Sequence, residues 1–253
     1  MERIENIFKQ IILEEEKNNN IELKLVIKEF LESANSYTED NTIYINKNAI
    51  DNVVYNDDID NKYNYYNLIK NLYHEIRHLI QEHEANTGII NNSSFFYITT
   101  NLIDEYYDKD DYKRNYKYVE IELDANIYAY TKLKKYIDNK ELLKNIDNRI
   151  EELNNLLHSS IRIDKNGNIV KTYNYIPDIL DNIIKNNPSI LHKYSQLSLF
   201  YFSDGTRKGI IDLDINKIIE LYKDNDIFFK QMLLKDNDNK VLKELMGDIN
   251  EEY

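Results

Sequence analysis

The sequence has no cysteine. Disulfides and thiolate metal ligands are therefore excluded, and any bound metal must be held by histidine and carboxylate. Tryptophan is also absent and proline occurs twice, beside abundant Asn, Lys, Ile and Tyr; this reads as the codon bias of an AT-rich genome. Positive charge is in short supply: 32 Lys and Arg against 45 Asp and Glu give a formal net charge of −13. That balance argues against sequence-independent nucleic-acid binding, which runs on Lys and Arg against phosphate, and against an anionic membrane surface. No stretch approaches the roughly 20 apolar residues of a membrane span. The opening "MERIENIFKQIILEEEK" lacks the uninterrupted apolar run of a signal peptide. A soluble, cytoplasmic protein is expected, with no nucleic-acid or membrane partner.

What is present suffices for a fold. With 253 residues, 42% hydrophobic and 30% charged, the chain can bury a sizeable core. Residues 2–17 have the pattern of a charged amphipathic helix. "IELKLVI" (Ile21 to Ile27) and "NTIYIN" (Asn41 to Asn46) alternate with period two, as half-buried strands do. Helical patterns follow over about 65–86, 95–107, 116–137 and 140–158, and from about 215 to the end; "KDDYKRN" (109–115) reads as a charged loop. Asn166-Gly167 and Asp204-Gly205 each sit between alternating runs, the strongest short hairpin signal. The expectation is one helix-rich α+β domain over 1–253, with a small mixed sheet, a core at about 21–137 and a helical extension at 138–253.

Residues 71–83 read "NLYHEIRHLIQEH" and contain His74-Glu75-Ile76-Arg77-His78, the pattern H-E-x-x-H. Tyr65, Leu68, Ile69, Leu72, Ile76, Leu79 and Ile80 follow the rhythm of one buried helical stripe, with no Pro or Gly to break it. At about 100° per residue His74 and His78 point nearly opposite that stripe, one above the other, toward solvent or a cleft. Two imidazoles so placed can take two positions of a tetrahedral zinc, and the Glu beside the first can act as base toward a zinc-activated water. The bland alternative is a solvated polar face that happens to spell the motif.

A zinc site needs more than two protein ligands. His83 is spaced wrongly to be the third and is expected to be an ordinary exposed residue. In "YVEIELDANIYAYTKL" (118–133), Tyr118, Ile121, Ala125, Tyr128, Ala129 and Leu133 define one helical face, with Glu122 in its middle and Glu120 and Asp124 on the far, solvated side. A carboxylate amid an apolar stripe is costly unless paired or metal-bound. Glu122 is thus either the third ligand or half of a buried ion pair, for example with Arg77. Ala125 and Ala129 leave room for a second helix to come close.

"HEIRH" followed by "ELDANIYA" resembles the gluzincin metallopeptidases, and within them the ImmA/IrrE-like group, which carry H-E-x-x-H and a later E-x-x-A-N-x-x-A helix. The resemblance covers roughly residues 21–135. It implies a zincin-like fold, Zn²⁺ held by His74, His78 and Glu122, and Glu75 as catalytic base. It also implies that Thr42, Ile43, Tyr44, Ile45 and Asn46 form an edge strand over the H-E-x-x-H helix, to which an extended peptide adds by main-chain hydrogen bonds. Asn126, one turn after Glu122, and Arg77 are candidates to orient the ligands. The oxyanion donor is not singled out: 22 Tyr, His158 and His192 leave too many choices. The resulting expectation is a zinc-dependent endopeptidase acting on a protein or peptide. The alternative is a non-catalytic, metal-stabilised acidic interaction module, and the presence of Glu75, which a structural site does not need, favours the enzyme.

Overall fold

A two-residue turn organises the sheet that lies before the histidine helix. Asp40 and Asn41 both have positive φ (47° and 58°), the pairing that a type I′ hairpin requires and that Asp and Asn tolerate best among residues with a side chain. The turn joins β2 (Ser36–Glu39) to β3 (Thr42–Asn46) in antiparallel register, with Tyr37 opposite Tyr44. On its other side β3 pairs in parallel with β1 (Lys24–Lys28), Leu25 opposite Ile43. The order is β1-β3-β2. The strand Thr42–Asn46 is therefore central and not an edge, which corrects the sequence expectation. Alternation marks a strand without giving its place in a sheet, and the short polar "SYTE" of β2 carries no hydrophobic pattern to announce the neighbour that covers β3. Ile43 and Ile45 are fully buried, as a central strand allows.

The computed structural model describes residues 2–30, 35–55, 59–106, 109–159, 161–171, 175–224 and 226–234. It is helix-rich α+β, and its chain divides into two compact units. Met1–His83 with Glu122–Asn155 form the first, and Glu84–Ile121 with Leu156–Tyr253 the second. Each unit takes two separate lengths of chain.

The first unit holds α1 (Glu2–Asn19), the three strands, α2 (Lys47–Tyr55), and most of α3 (Ile59–Asn86), α6 (Glu120–Leu133) and α7 (Lys140–His158). Its core joins Phe8 and Ile11 of α1, Ile43 and Ile45 of β3, and Ile69, Leu72, Tyr73 and Ile76 of α3 to Ala129 and Leu133 of α6. The second unit holds α4 (Asn92–Tyr106) and α5 (Lys109–Asn115), the helix that replaces the expected "KDDYKRN" loop. It continues with β4 (Ile161–Ile163), β5 (Ile169–Lys171), α8 (Tyr175–Asn186), α9 (Ile190–Lys193), α10 (Ile215–Asp224) and α11 (Asp226–Leu234). Its centre is aromatic: Phe95 stacks on Phe228 at 4.1 Å between ring centroids, with Phe200 and Phe229 around them.

The hairpin expected at Asn166-Gly167 forms as β4 and β5. The one expected at Asp204-Gly205 is reduced to a turn closed by a single bridge, Tyr201 to Arg207, because the residues before it, 195–199, wind into a 3₁₀ turn instead of a strand. Gly205 is nonetheless required there. Its φ is +83° and a Cβ would sit 2.6 Å from the carbonyl oxygen of Ile184. The expected C-terminal helices are present to Leu234; the remainder lies outside the described residues. Among the described residues no helix is long and apolar enough to cross a membrane.

Candidate metal centre

The stripe on α3 buries as its spacing requires, with Ile69, Leu72 and Ile76 at 0% exposure. The opposite side is not left to solvent. Helix α6 covers it, and Ala125 and Ala129, both fully buried, offer no bulk to hold the helices apart. The side chains of His74 and His78 are only 16% and 17% exposed.

The covering helix brings Glu122 between the two imidazoles. Nε2 of His74 lies 3.3 Å from one carboxylate oxygen, Nε2 of His78 lies 3.4 Å from the other, and the two Nε2 atoms are 3.0 Å apart. A tetrahedral zinc with bonds of about 2.0–2.1 Å sets its ligand atoms about 3.3–3.4 Å from one another. The two imidazole nitrogens and the two carboxylate oxygens, each nitrogen facing a different oxygen, are thus spaced close to the ligand–ligand distance of such a site. Among the described residues these three side chains form a group able to hold a metal ion. The donor set, two imidazoles and one carboxylate, suits zinc better than calcium or magnesium, which take oxygen ligands.

Charge is unsettled in this cluster. Burial alone would raise the Glu122 carboxyl, but hydrogen bonds from His74 and His78 outweigh it and pull the group down to about 2. Burial would likewise lower His78, yet the Glu122 carboxylate outweighs it and the imidazole is held above its ordinary value. Each is the response of a buried carboxylate and a nearby imidazole, which favour one another's charged form.

Behind the donors is a polar chain. Nδ1 of His78 lies 2.9 Å from Oε1 of Gln81, whose Nε2 donates to Asp124 Oδ2 at 2.7 Å. The same oxygen accepts from Arg77 Nε at 2.7 Å. Arg77 therefore clamps Asp124, while the histidines face Glu122. Asp124 is no solvated residue. Glu120, also expected in solvent, is 5% exposed and accepts from Nη2 of Arg162 at 2.7 and 2.8 Å. Helical phase gave its side of α6 but could not reveal that Arg162, 42 residues later, would cover it. Asn126 donates to the backbone carbonyl of Glu122 at 2.8 Å, so it secures the helix turn beneath the ligand and not the carboxylate itself. His83 is half-buried, not exposed.

Glu75 is 9% exposed, and its Oε1 accepts from the hydroxyl of Ser36 at 2.9 Å. Ser36 opens β2, the edge strand that the sequence pattern did not reveal; Asp40-Asn41 was the available signal, since two adjacent turn formers ahead of an alternating run mark a hairpin. Gln81 was missed as well, because nothing in its spacing sets it apart from other polar residues of α3. Nδ1 of His74 is buried without a hydrogen bond among the described residues, so the two histidines are not equally supported. No family model, curated protein or solved structure matches the chain.

Proposed function

We propose that the protein is a zinc-dependent endopeptidase with a zincin-like first unit, and that His74, His78 and Glu122 hold the metal. The observation that carries this reading is the convergence of the two Nε2 atoms, 3.0 Å apart, on the two oxygens of the Glu122 carboxylate at 3.3 and 3.4 Å. A zinc ion at that position would supply a Lewis acid for a peptide carbonyl and would lower the pKa of water toward about 7. The chain's own residues account for the rest. Glu75 takes the proton of the attacking water at Oε2, while Ser36 holds Oε1 and fixes the plane of the carboxylate. The proton then passes from Glu75 to the leaving amine nitrogen.

The strand suited to hold the substrate is β2 rather than β3. Among the described residues it pairs with β3 on one side only, and it carries the hydroxyl that reaches Glu75. An extended peptide added there would be bound through its main chain and thus with little sequence preference. The alternative reading, a metal-stabilised interaction module without catalysis, draws on the burial of Glu75 and its engagement by Ser36, which a purely structural role would also explain.

One paired experiment separates them: zinc content and proteolysis of the wild type and of Glu75→Gln. Glutamine keeps the shape but cannot accept the proton. The enzyme reading expects unchanged zinc and a loss of activity of at least about a hundredfold. Equal cleavage by both proteins would refute the base. Zinc without cleavage of any substrate in a broad protein screen would leave the interaction module as the function.

A further inference from the structure

We infer that Gln81 is a positioning residue of the metal centre: it fixes the His78 ring with Nε2 presented to the metal, acting as a neutral relay between that ring and the Arg77–Asp124 ion pair. This rests on the metal reading of His74, His78 and Glu122. Gln81 is fully buried, so its amide has no water to turn toward. Its orientation follows from its partners. Asp124, paired with Arg77, is a carboxylate and can only accept. The atom of Gln81 that faces Asp124 at 2.7 Å must therefore be the NH₂ group. The carbonyl oxygen is then the atom that faces Nδ1 of His78 at 2.9 Å. A carbonyl oxygen only accepts, so Nδ1 must carry the proton, and the lone pair for a metal is left on Nε2. One ion pair two steps away thus selects which nitrogen of His78 is the ligand.

The arrangement differs from a carboxylate placed directly on the ring nitrogen, the frequent partner of a metal-bound histidine. The amide passes on direction without bringing a second negative charge beside Glu122. His74 has no counterpart, since its Nδ1 makes no hydrogen bond among the described residues. Gln81 therefore supports the His78 ring alone.

The test is zinc affinity, measured by competition with a chromophoric chelator, together with the His78 Nδ1–H proton resonance of the zinc-loaded protein. Gln81→Met fills the same space but accepts nothing from Nδ1. It should weaken zinc by about 10- to 100-fold, and the Nδ1–H signal, downfield and slow to exchange in the wild type, should move upfield and exchange faster. Asp124→Ala leaves Gln81 in place but removes the acceptor that fixes its amide, and should move the His78 resonance in the same direction by a smaller amount. A role of Gln81 in packing alone predicts no response of that signal to a change at 124. Should Gln81→Met bind zinc as tightly as wild type with the resonance unmoved, or should Asp124→Ala leave the resonance where it is, the relay is wrong. A wild type that binds no zinc overturns the metal reading, and the relay with it; zinc bound equally by wild type and Gln81→Met overturns the relay and leaves the metal reading standing.

Discussion

Helix α6 carries two buried carboxylates separated by one residue, and they have opposite surroundings. Glu120, in the second unit, meets a guanidinium. Nη2 of Arg162 donates to both of its oxygens, and Nη1 is occupied by the backbone carbonyls of Tyr118 and Ile161. Glu122, in the first unit, meets two imidazoles that are neutral in their ordinary state at neutral pH. An arginine is a permanent cation with its donors in a fixed fork, so it completes a carboxylate and leaves nothing to bind. Two imidazoles that point their Nε2 atoms at one carboxylate leave a charge to be supplied from outside, by protons or by a metal. Burial of a carboxylate is thus a poor guide to function; the identity of the group facing it is a better one.

The largest effect should come from deleting each carboxylate in turn. Glu122→Ala should reduce zinc from about one per chain to none, while Glu120→Ala should leave zinc content at the wild-type level. Elemental analysis after dialysis reads both. Full zinc in Glu122→Ala would remove the distinction between the two sites.

Next in size is the arginine pair. Arg162→Met leaves Glu120 buried without a counter-charge, which should cost about 3–5 kcal/mol of stability, and pairing it with Glu120→Leu should recover most of that loss. Denaturant unfolding measures both, and zinc affinity should be untouched in either. A loss below about 1 kcal/mol for Arg162→Met would mean that water reaches Glu120.

The two carboxylates also mark what could be read from the sequence. The phase of α6 distinguishes Glu122 from Glu120 because an apolar stripe has a direction, and the α3 stripe in the same way turns His74 and His78 to one side. What covers the far face of a helix is a long-range fact. Arg162 and Glu120 are 42 residues apart, and no local period announces their meeting. The same limit explains Thr42–Asn46. Its alternation is the property of a strand, whereas its central place depends on β2, four residues whose short polar sequence has no stripe to read. Gln81 went unnoticed for a related reason: its role depends on Asp124, which arrives from α6.

A smaller effect is expected at Ser36. Ser36→Ala removes the hydrogen bond that holds Oε1 of Glu75, worth about 1 kcal/mol when orientation is all it supplies. Proteolysis should fall by up to about tenfold with zinc content unchanged. A fall as deep as that of Glu75→Gln would make Ser36 a participant in proton transfer and not a support.

The smallest effect is in the pH dependence of stability, where the imidazole site and the arginine site should part. In the metal-free protein Glu122 is held at about 2, below its ordinary 4.5. Its contribution is therefore complete above about 4.5 and is lost as pH falls toward 2. His78 is raised above its ordinary 6.5, so its contribution is complete below that value and is lost as pH rises through the elevated one. Together they make the metal-free cluster most stabilising between about 4.5 and 6.5. Zinc requires neutral imidazoles and so competes with protons. It should add little in that window and progressively more above it. The difference in melting temperature between zinc-loaded and metal-free protein should widen by a few degrees from about pH 6 to about pH 8. Arginine keeps its proton throughout this range, so Arg162→Met should cost the same at both ends. A gap that stays level or narrows as pH rises would show that the charge missing beside Glu122 is not supplied by a metal on His74 and His78.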